Sequence, residues 1–586
     1  MKYPTLTELN TSREMIDIFR GYNHNLRIGD GEFYDMKNLS SDDYPVLSPR
    51  RKRGIYATPS KPQGMIAKDA LCYVDGADFV ITGEQDIRVS MDLTIENVPK
   101  TLVSMGAYVV ILPDKKYINV TKPSDNGSIE ASITTEGEVL FSLSTVDGAD
   151  YEDVTISSVE PSSPENGAMW FDWTSNTLKK YSSSSKEWVA IATTYIKIKG
   201  VGIGEKFAVH DAVTISGITV RQVKDLNANM VIWARGDDYI VVAGVFDGPF
   251  LTDEKPSQIT PITVARKMPD MDFVIESSNR LWGCKYGTNA DGAFVNEIYA
   301  SKLGDFKNWN CFMGISTDSY AASLGTDGSF TGAVTYLGNP IFFKENCMHK
   351  VYGSYPSQYQ TQTTACRGVQ KGCEKSLAVV NEELFYKSRM GVCVYDGSLP
   401  SEISEQLGEA RYYDAVSGVL GNKYYISMRD DRNQWHMFVY DTYKNMWHKE
   451  DDTQAYDFCN HGGELYYIDY HDKLIKTMRG TGVVDPEPVS WMAETGLIGT
   501  GSPDKKYVSR LDIRMSLDID ARVIVSAEYN SSGSWEHLFT VPGTTLDSFA
   551  IPVRPKRCDH LRLRFDGYGD AKIYSICKTI EQGSDA

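Results

Sequence analysis

Five stretches of this chain repeat one plan, and that repeat limits the folds open to it. "NRLWGCKYG", "GNPIFFKENCMHKVYG", "NEELFYKSRMGVCVYDG", "GNKYYISMRDDRNQWHMFVYD" and "GGELYYIDYHDKLIKTM" each place a turn residue before an apolar–aromatic run, a polar tip and a second run. They begin at Asn279, Gly338, Asn381, Gly421 and Gly462, a first step of about 60 residues and three of about 40, a period that reads as paired strands in propeller blades. A unit apolar on both faces cannot stand alone and needs a neighbour on each side. "ALCYVDGADFVITG" and "SMGAYVVILPDKKYINV" have the same hairpin form and read as earlier blades. Stacked sandwiches remain the alternative.

The texture changes between the two sets of repeats. "KPSDNGSIEASITTEG" is polar, and "PSSPENGAMWFDWTSNTLKKYSSSSKEWVAI" has the spacing of a compact three-strand unit. An insertion at an exposed hairpin tip explains a rhythm that stops and resumes. After the linker-like "DPEP", strict alternation in "RLDIRMSLDIDARVIVSAEYN" and "HLRLRFDGYGDAKIYSICKTI" predicts half-buried antiparallel strands. The expected fold is all-β: a β-propeller interrupted by a small inserted β-module and followed by a C-terminal β-sandwich. Its parts are an extended N-terminal arm (1–60), the first part of the propeller (61–125), the module (126–225), the rest of the propeller (226–485) and the sandwich (486–586). Within the arm, Thr11 and Glu14 have capping-box spacing, which allows a local helix.

Signatures of catalysis and metal binding are sparse. None of the ten cysteines forms a Cys-x-x-Cys pair, so they read as free thiols of a reducing compartment. None of the nine histidines has His-x-x-x-His spacing, and His436 and His448 read as core or rim residues. "DGADYEDVTIS" lacks the ligand order of a calcium loop. No nucleophile elbow, phosphate loop or dinucleotide fingerprint is present. No apolar leader or membrane span is evident. No cofactor is expected. The Ser-x-Asp-x-Gly-x-x-Trp turn of sialidase-like propellers is missing, and its nearest string, "NSSGSWEHL", lacks the Asp.

Charge carries the remaining information. The chain has 78 acidic and 60 basic residues, a net −18, yet Arg50, Arg51, Lys52 and Arg53 stand in a row. Four charges on an acidic body are too few for a nucleic-acid track. The arm "FRGYNHNLRIGDGEFYDMKNLSSDDYPVLSPRRKRG", the string "NRLWGCKYGTNADGAFVNEIYASKLGDFKNWNCF" and the two blades after it resemble the tail hub or nozzle proteins of tailed bacteriophages, including DNA-stabilisation proteins. The resemblance implies a non-enzymatic virion component made in the host bacterial cytoplasm. It would form a ring, a hexamer favoured, between portal or adaptor proteins above and other tail proteins below. It would hold and pass double-stranded DNA without entering a membrane. On that reading Arg50, Arg51, Lys52 and Arg53 dock on an acidic neighbouring subunit, and Glu450, Asp451 and Asp452 in "WHKEDDTQ" line the channel. The alternatives are a receptor- or glycan-binding protein displaying Trp170, Trp173, Tyr181 and Trp188, or a propeller glycan hydrolase.

Overall fold

The computed structural model describes residues 11–95, 99–151, 153–250, 255–484, 487–501, 505–554 and 556–582. Its strands are cut by two-residue turns in the left-handed region, the geometry that matches the natural twist of a hairpin. Ser278–Asn279, Leu337–Gly338, Asn381–Glu382 and Gly462–Gly463 all have both φ values between 47° and 78°. Each turn joins the first two strands of a separate sheet, so the sequence repeat is a repeat of hairpins.

Five sheets are four-stranded antiparallel meanders, spanning 62–90, 101–128, 273–323, 330–365 and 378–402. A sixth meander runs through Tyr412–Leu420, Lys423–Asp430, Trp435–Asp441 and Met446–Lys449. The seventh sheet takes Ala455–His461, Glu464–Asp469 and Ile475–Thr477 and is completed by Gly54–Ala57 from the start of the chain and by Val483–Val484. The sheets pack against one another through their first strands, with a few hydrogen bonds such as Ser277 Oγ to the Gly338 carbonyl crossing between them. Pro62–Lys68 lies against Thr101–Met105, which lies against Phe273–Ser277, which lies against Phe330–Tyr336. Further along, Ala378–Val380 meets Tyr412–Leu420, that strand meets Ala455–His461, and Ala455–His461 meets Pro62–Lys68.

The expected β-propeller with a separate C-terminal sandwich is corrected by the strand pairing. Among the described residues every sheet is open, and none closes into a propeller or a barrel. The sixth meander is also not a self-contained unit. Its outer strand pairs with Gly21–Tyr22, and the ladder continues through Glu32–Lys37, Ser490–Thr495, Leu561–Tyr568, Lys506–Tyr529 and Ala571–Gln582 to Thr11–Ile16. With Glu536–Ile551 on Lys506–Tyr529 this makes one twelve-stranded sheet. The physical cause is the N-terminal arm, whose backbone groups bridge two strand edges that would otherwise be left unpaired. A single core runs beneath the join, from Phe33 and Trp447 to Val523 and Ile573. Thr11–Ile16 is a strand of this sheet rather than a helix.

Between the second and third meanders lies a unit with its own core around Phe141, Phe171, Ile198 and Val242. Its eight-stranded sheet begins at Ala131–Thr134 and ends at Thr263–Arg266, and those two strands pair directly, Ala131 opposite Arg266. A small four-stranded sheet, 154–190, packs on it, with Val154–Ser157 parallel to Met169–Asp172.

Candidate functional site

The basic run and the acidic triad, almost 400 residues apart, meet in the same molecule. The strand Ser48–Pro49 pairs with Leu39–Ser40 and delivers the arm to the seventh sheet, and between the two strands Arg50 and Arg53 turn inward. Arg53 places Nη2 2.8 Å from Glu450 Oε2 and Nη1 3.0 Å from Asp451 Oδ2, and donates to Thr453 Oγ1 at 2.6 Å. Arg50 reaches Asp451 Oδ2 at 3.3 Å and donates from Nε to Asn38 Oδ1 at 2.8 Å. Burial and the neighbouring Arg53 charge push Arg50 below its ordinary range, whereas at Arg53 the carboxylates outweigh burial and raise it. Burial opposes ionisation of Asp451, but the two guanidiniums hold it below the usual carboxylate range. Arg51 faces outward, with only Asp42 at 4.0 Å.

The acids of "WHKEDDTQ" therefore do not form a solvent-facing triad. Glu450 is 4% exposed and both it and Asp451 are neutralised by arginines, leaving Asp452 exposed. Local spacing shows a charged loop but not the cation that a distant segment brings to it.

Asp452 borders a cleft of about 520 Å³ beside this cluster. One wall is the hairpin tip between Lys423–Asp430 and Trp435–Asp441, contributing Asn433, Gln434, Trp435 and His436; the others come from Asp35 and Lys37, from Lys449 to Asp452, and from His471. Asp430 fixes the tip by accepting from the backbone N–H of Arg432 at 2.9 Å and of Gln434 at 2.8 Å. Its other oxygen lies 3.0 Å from His436 Nε2. Across the cleft Lys449 Nζ donates to Asp35 Oδ1 at 2.9 Å. Trp435 is half-buried, and among the described residues its indole N–H meets no acceptor. The site thus offers a half-buried indole on a braced hairpin tip, an oriented imidazole and, among the described residues, one unpaired carboxylate. Sequence reasoning named His436 only as a core or rim residue and missed Trp435, Asp35, Lys449 and His471. The one local signal was a Trp-His pair at a charged hairpin tip; Asp35 comes from the arm and could not be placed.

Two other cavities are less suited to a ligand. One of about 610 Å³ on the far side of Asp451 is lined by groups already paired, with Arg53 5.3 Å over the Tyr467 ring. One of about 980 Å³ is bounded by Arg51, Lys572, Ile519 and Leu546 and has no aromatic ring. Among the described residues, no group of three or more His, Cys, Asp or Glu is placed to hold a metal ion.

The aromatic candidates of the inserted unit spend their faces on one another. Trp170 is buried, donates from Nε1 to the Ser157 carbonyl at 3.1 Å and meets Trp188 edge-on at 5.4 Å. Tyr181 packs on Trp188 at 5.4 Å, Lys179 Nζ sits 4.4 Å over Trp170, and Trp173 leans on the unit's core. These rings hold a small sheet together rather than presenting an open platform.

No family model matches the chain, and no curated protein matches it. Solved structures similar to it include an exo-β-1,3-galactanase of Phanerochaete chrysosporium with galactose (8% identity, 52% of this chain and 94% of that chain, TM-score 0.20). PorZ, a surface component of the type-IX secretion system of Porphyromonas gingivalis, shares 10% identity over 90% of this chain and 82% of that chain, at a TM-score of 0.24. Trypanosoma rangeli sialidase in complex with 2,3-difluorosialic acid shares 7% identity over 98% and 96%, at 0.21. Likenesses this distant carry no argument for a shared activity. They are nonetheless glycoside hydrolases and a secretion component, not tail proteins. The resemblance to a phage tail hub, and with it the virion conduit for DNA, is corrected on this finding, and so is the exclusion of an enzyme.

Proposed function

We propose that this protein binds a glycan in the cleft at Trp435. A sugar presents a C–H face that packs on an aromatic ring and a rim of hydroxyls that need partners in the plane of the ring. A cleft of about 520 Å³ falls within the range of small-molecule sites, which combine an apolar surface with a few placed polar groups. The observation that carries the reading is the grouping of Trp435 with Gln434, His436, Asp452 and His471 along one cleft whose backbone is fixed by the sheets behind it. An amphipathic ring at such a position supplies contact area at low entropic cost.

The test is a panel of immobilised glycans probed with the wild-type chain and with Trp435→Ala. The wild type should retain at least one glycan, and the variant should lose about tenfold or more in affinity, which is about 1.4 kcal/mol. Failure of the wild type to bind any glycan, or binding that survives Trp435→Ala and is lost on Trp188→Ala, would overturn the assignment. Release of reducing sugar from a bound glycan would add catalysis at the same cleft.

A further inference from the structure

We infer that His436 reads a sugar hydroxyl, accepting its hydrogen bond on Nδ1, with Asp430 as the positioning residue; this rests on the glycan reading of the cleft. A carboxylate can only accept, so the 3.0 Å contact to Asp430 Oδ2 places the imidazole proton on Nε2. Asp430 is itself immobilised, because its other oxygen is taken by two backbone N–H groups of the hairpin tip. Nδ1 is then a lone-pair acceptor, and among the described residues nothing donates to it. The ring cannot swing freely. Tyr412 meets it edge-on at 6.1 Å and Phe438 packs at 5.8 Å. A fixed acceptor on the wall of the cleft separates one hydroxyl configuration from its epimer, since a ligand lacking the donor leaves the acceptor unpaired.

The charges around the ring set its response to pH. Asp430 lies on the same hairpin, Lys449 and Asp35 on neighbouring strands, and Lys37, Asp452 and His471 along the cleft. Burial pushes His436 below its ordinary value; Asp430 opposes this, Lys449 adds to it and Asp35 opposes it. The neutral ring therefore prevails at neutral pH. Acid protonates Nδ1 and turns the acceptor into a donor, so affinity is full at neutral pH and lost as pH falls.

The experiment titrates the best glycan from the panel against wild type, His436→Phe and His436→Asn between about pH 7 and pH 5, alongside ¹⁵N-histidine spectra of the ligand-free protein. His436→Phe should lose about tenfold at neutral pH. His436→Asn, whose amide oxygen can accept in place of Nδ1, should keep affinity within about threefold and lose the acid dependence. The spectra should show a neutral ring protonated on Nε2. A His436→Phe variant that binds normally, a pH-independent wild type, or a proton on Nδ1 overturns the inference. If Trp435→Ala abolishes binding while the His436 variants do not, only this inference falls. If the wild type binds no glycan, the glycan reading falls and takes this one with it.

Discussion

Replacing Arg53 by Ala should destabilise the protein more than any other change in the arm. Arg53 touches both acids of the loop, 2.8 Å from Glu450 and 3.0 Å from Asp451, in a site where the three side chains are 5–11% exposed. Water cannot replace the lost partner. Arg50 remains, but its contacts are longer, 3.3 Å to Asp451 and 3.7 Å to Glu450. Breaking a buried ion pair from one side typically costs about 3–5 kcal/mol, because the remaining charge is left uncompensated. The double change Arg53→Met with Glu450→Leu removes one charge of each sign, leaves Asp451 to Arg50 at 3.3 Å, and should recover part of that loss. Urea unfolding of the wild type, the two single variants and the double variant measures the coupling. Asp451, held below its usual range, adds a pH signature. Its contribution is present above the unfolded carboxylate value of about 3.9 and is lost as pH falls through the folded one. Arg53→Ala within about 1 kcal/mol of wild type would refute the reasoning, because it would place the cluster in the class of weak surface pairs.

Three further outcomes follow from other parts of the fold. His448 and His349 are buried and neutral, pushed down to about 3 and about 4 by burial and secondarily by Lys423 and Lys344 respectively. Their folded values lie below the unfolded one, so each should cost stability as pH falls below about 6.5, by about 1.4 kcal/mol per unit until its folded value is reached; His448→Leu should reduce that slope in urea titrations from about pH 7 to pH 5. Excising 131–266 and joining the flanks should leave the six meanders and the seventh sheet folded, since Ala131 and Arg266 are paired and their backbones lie about 5 Å apart. Excising only 126–225 should give insoluble chain, because it takes one of the two partners from Asn229–Gly236 and from Tyr239–Ala243 and both from Thr263–Arg266. Trp170→Ala should cost about 3–5 kcal/mol within the small 154–190 sheet, seen as faster hydrogen exchange there, with glycan binding unchanged.

What the sequence disclosed was local. Gly and Asn at positions such as Gly338, Asn381 and Gly462 marked the hairpin turns, and alternation marked Lys506–Tyr529 as half-buried. Which edge a strand pairs with left no local trace. Gly54–Ala57 is four residues long, and nothing in them points to Ile475–Thr477; Glu32–Lys37 does not announce that it bridges the sixth meander to the C-terminal strands. The same gap explains the charges. Arg50–Arg53 and Glu450–Asp452 both stood out as clusters, yet the first was assigned to a neighbouring subunit and the second to a channel wall, when Arg50 and Arg53 pair with Glu450 and Asp451. The tail-hub resemblance failed for a related reason. Strings such as "NRLWG" report a tight hairpin turn, here Ser278–Asn279, and the apolar strand Arg280–Thr288 that follows it, which is local geometry and says nothing of a partner. The cleft was hidden because its walls come from the arm, the sixth meander and the seventh sheet, as short runs at 35–37, 433–436 and 449–452 and the single residue His471.

The most direct test of the central claim is hydrogen–deuterium exchange with the best-binding glycan from the panel. The account expects slowed exchange in the tip around 433–437 and in the loop 449–452, with 169–190 unchanged. Protection confined to 169–190, or none near Trp435, would contradict it.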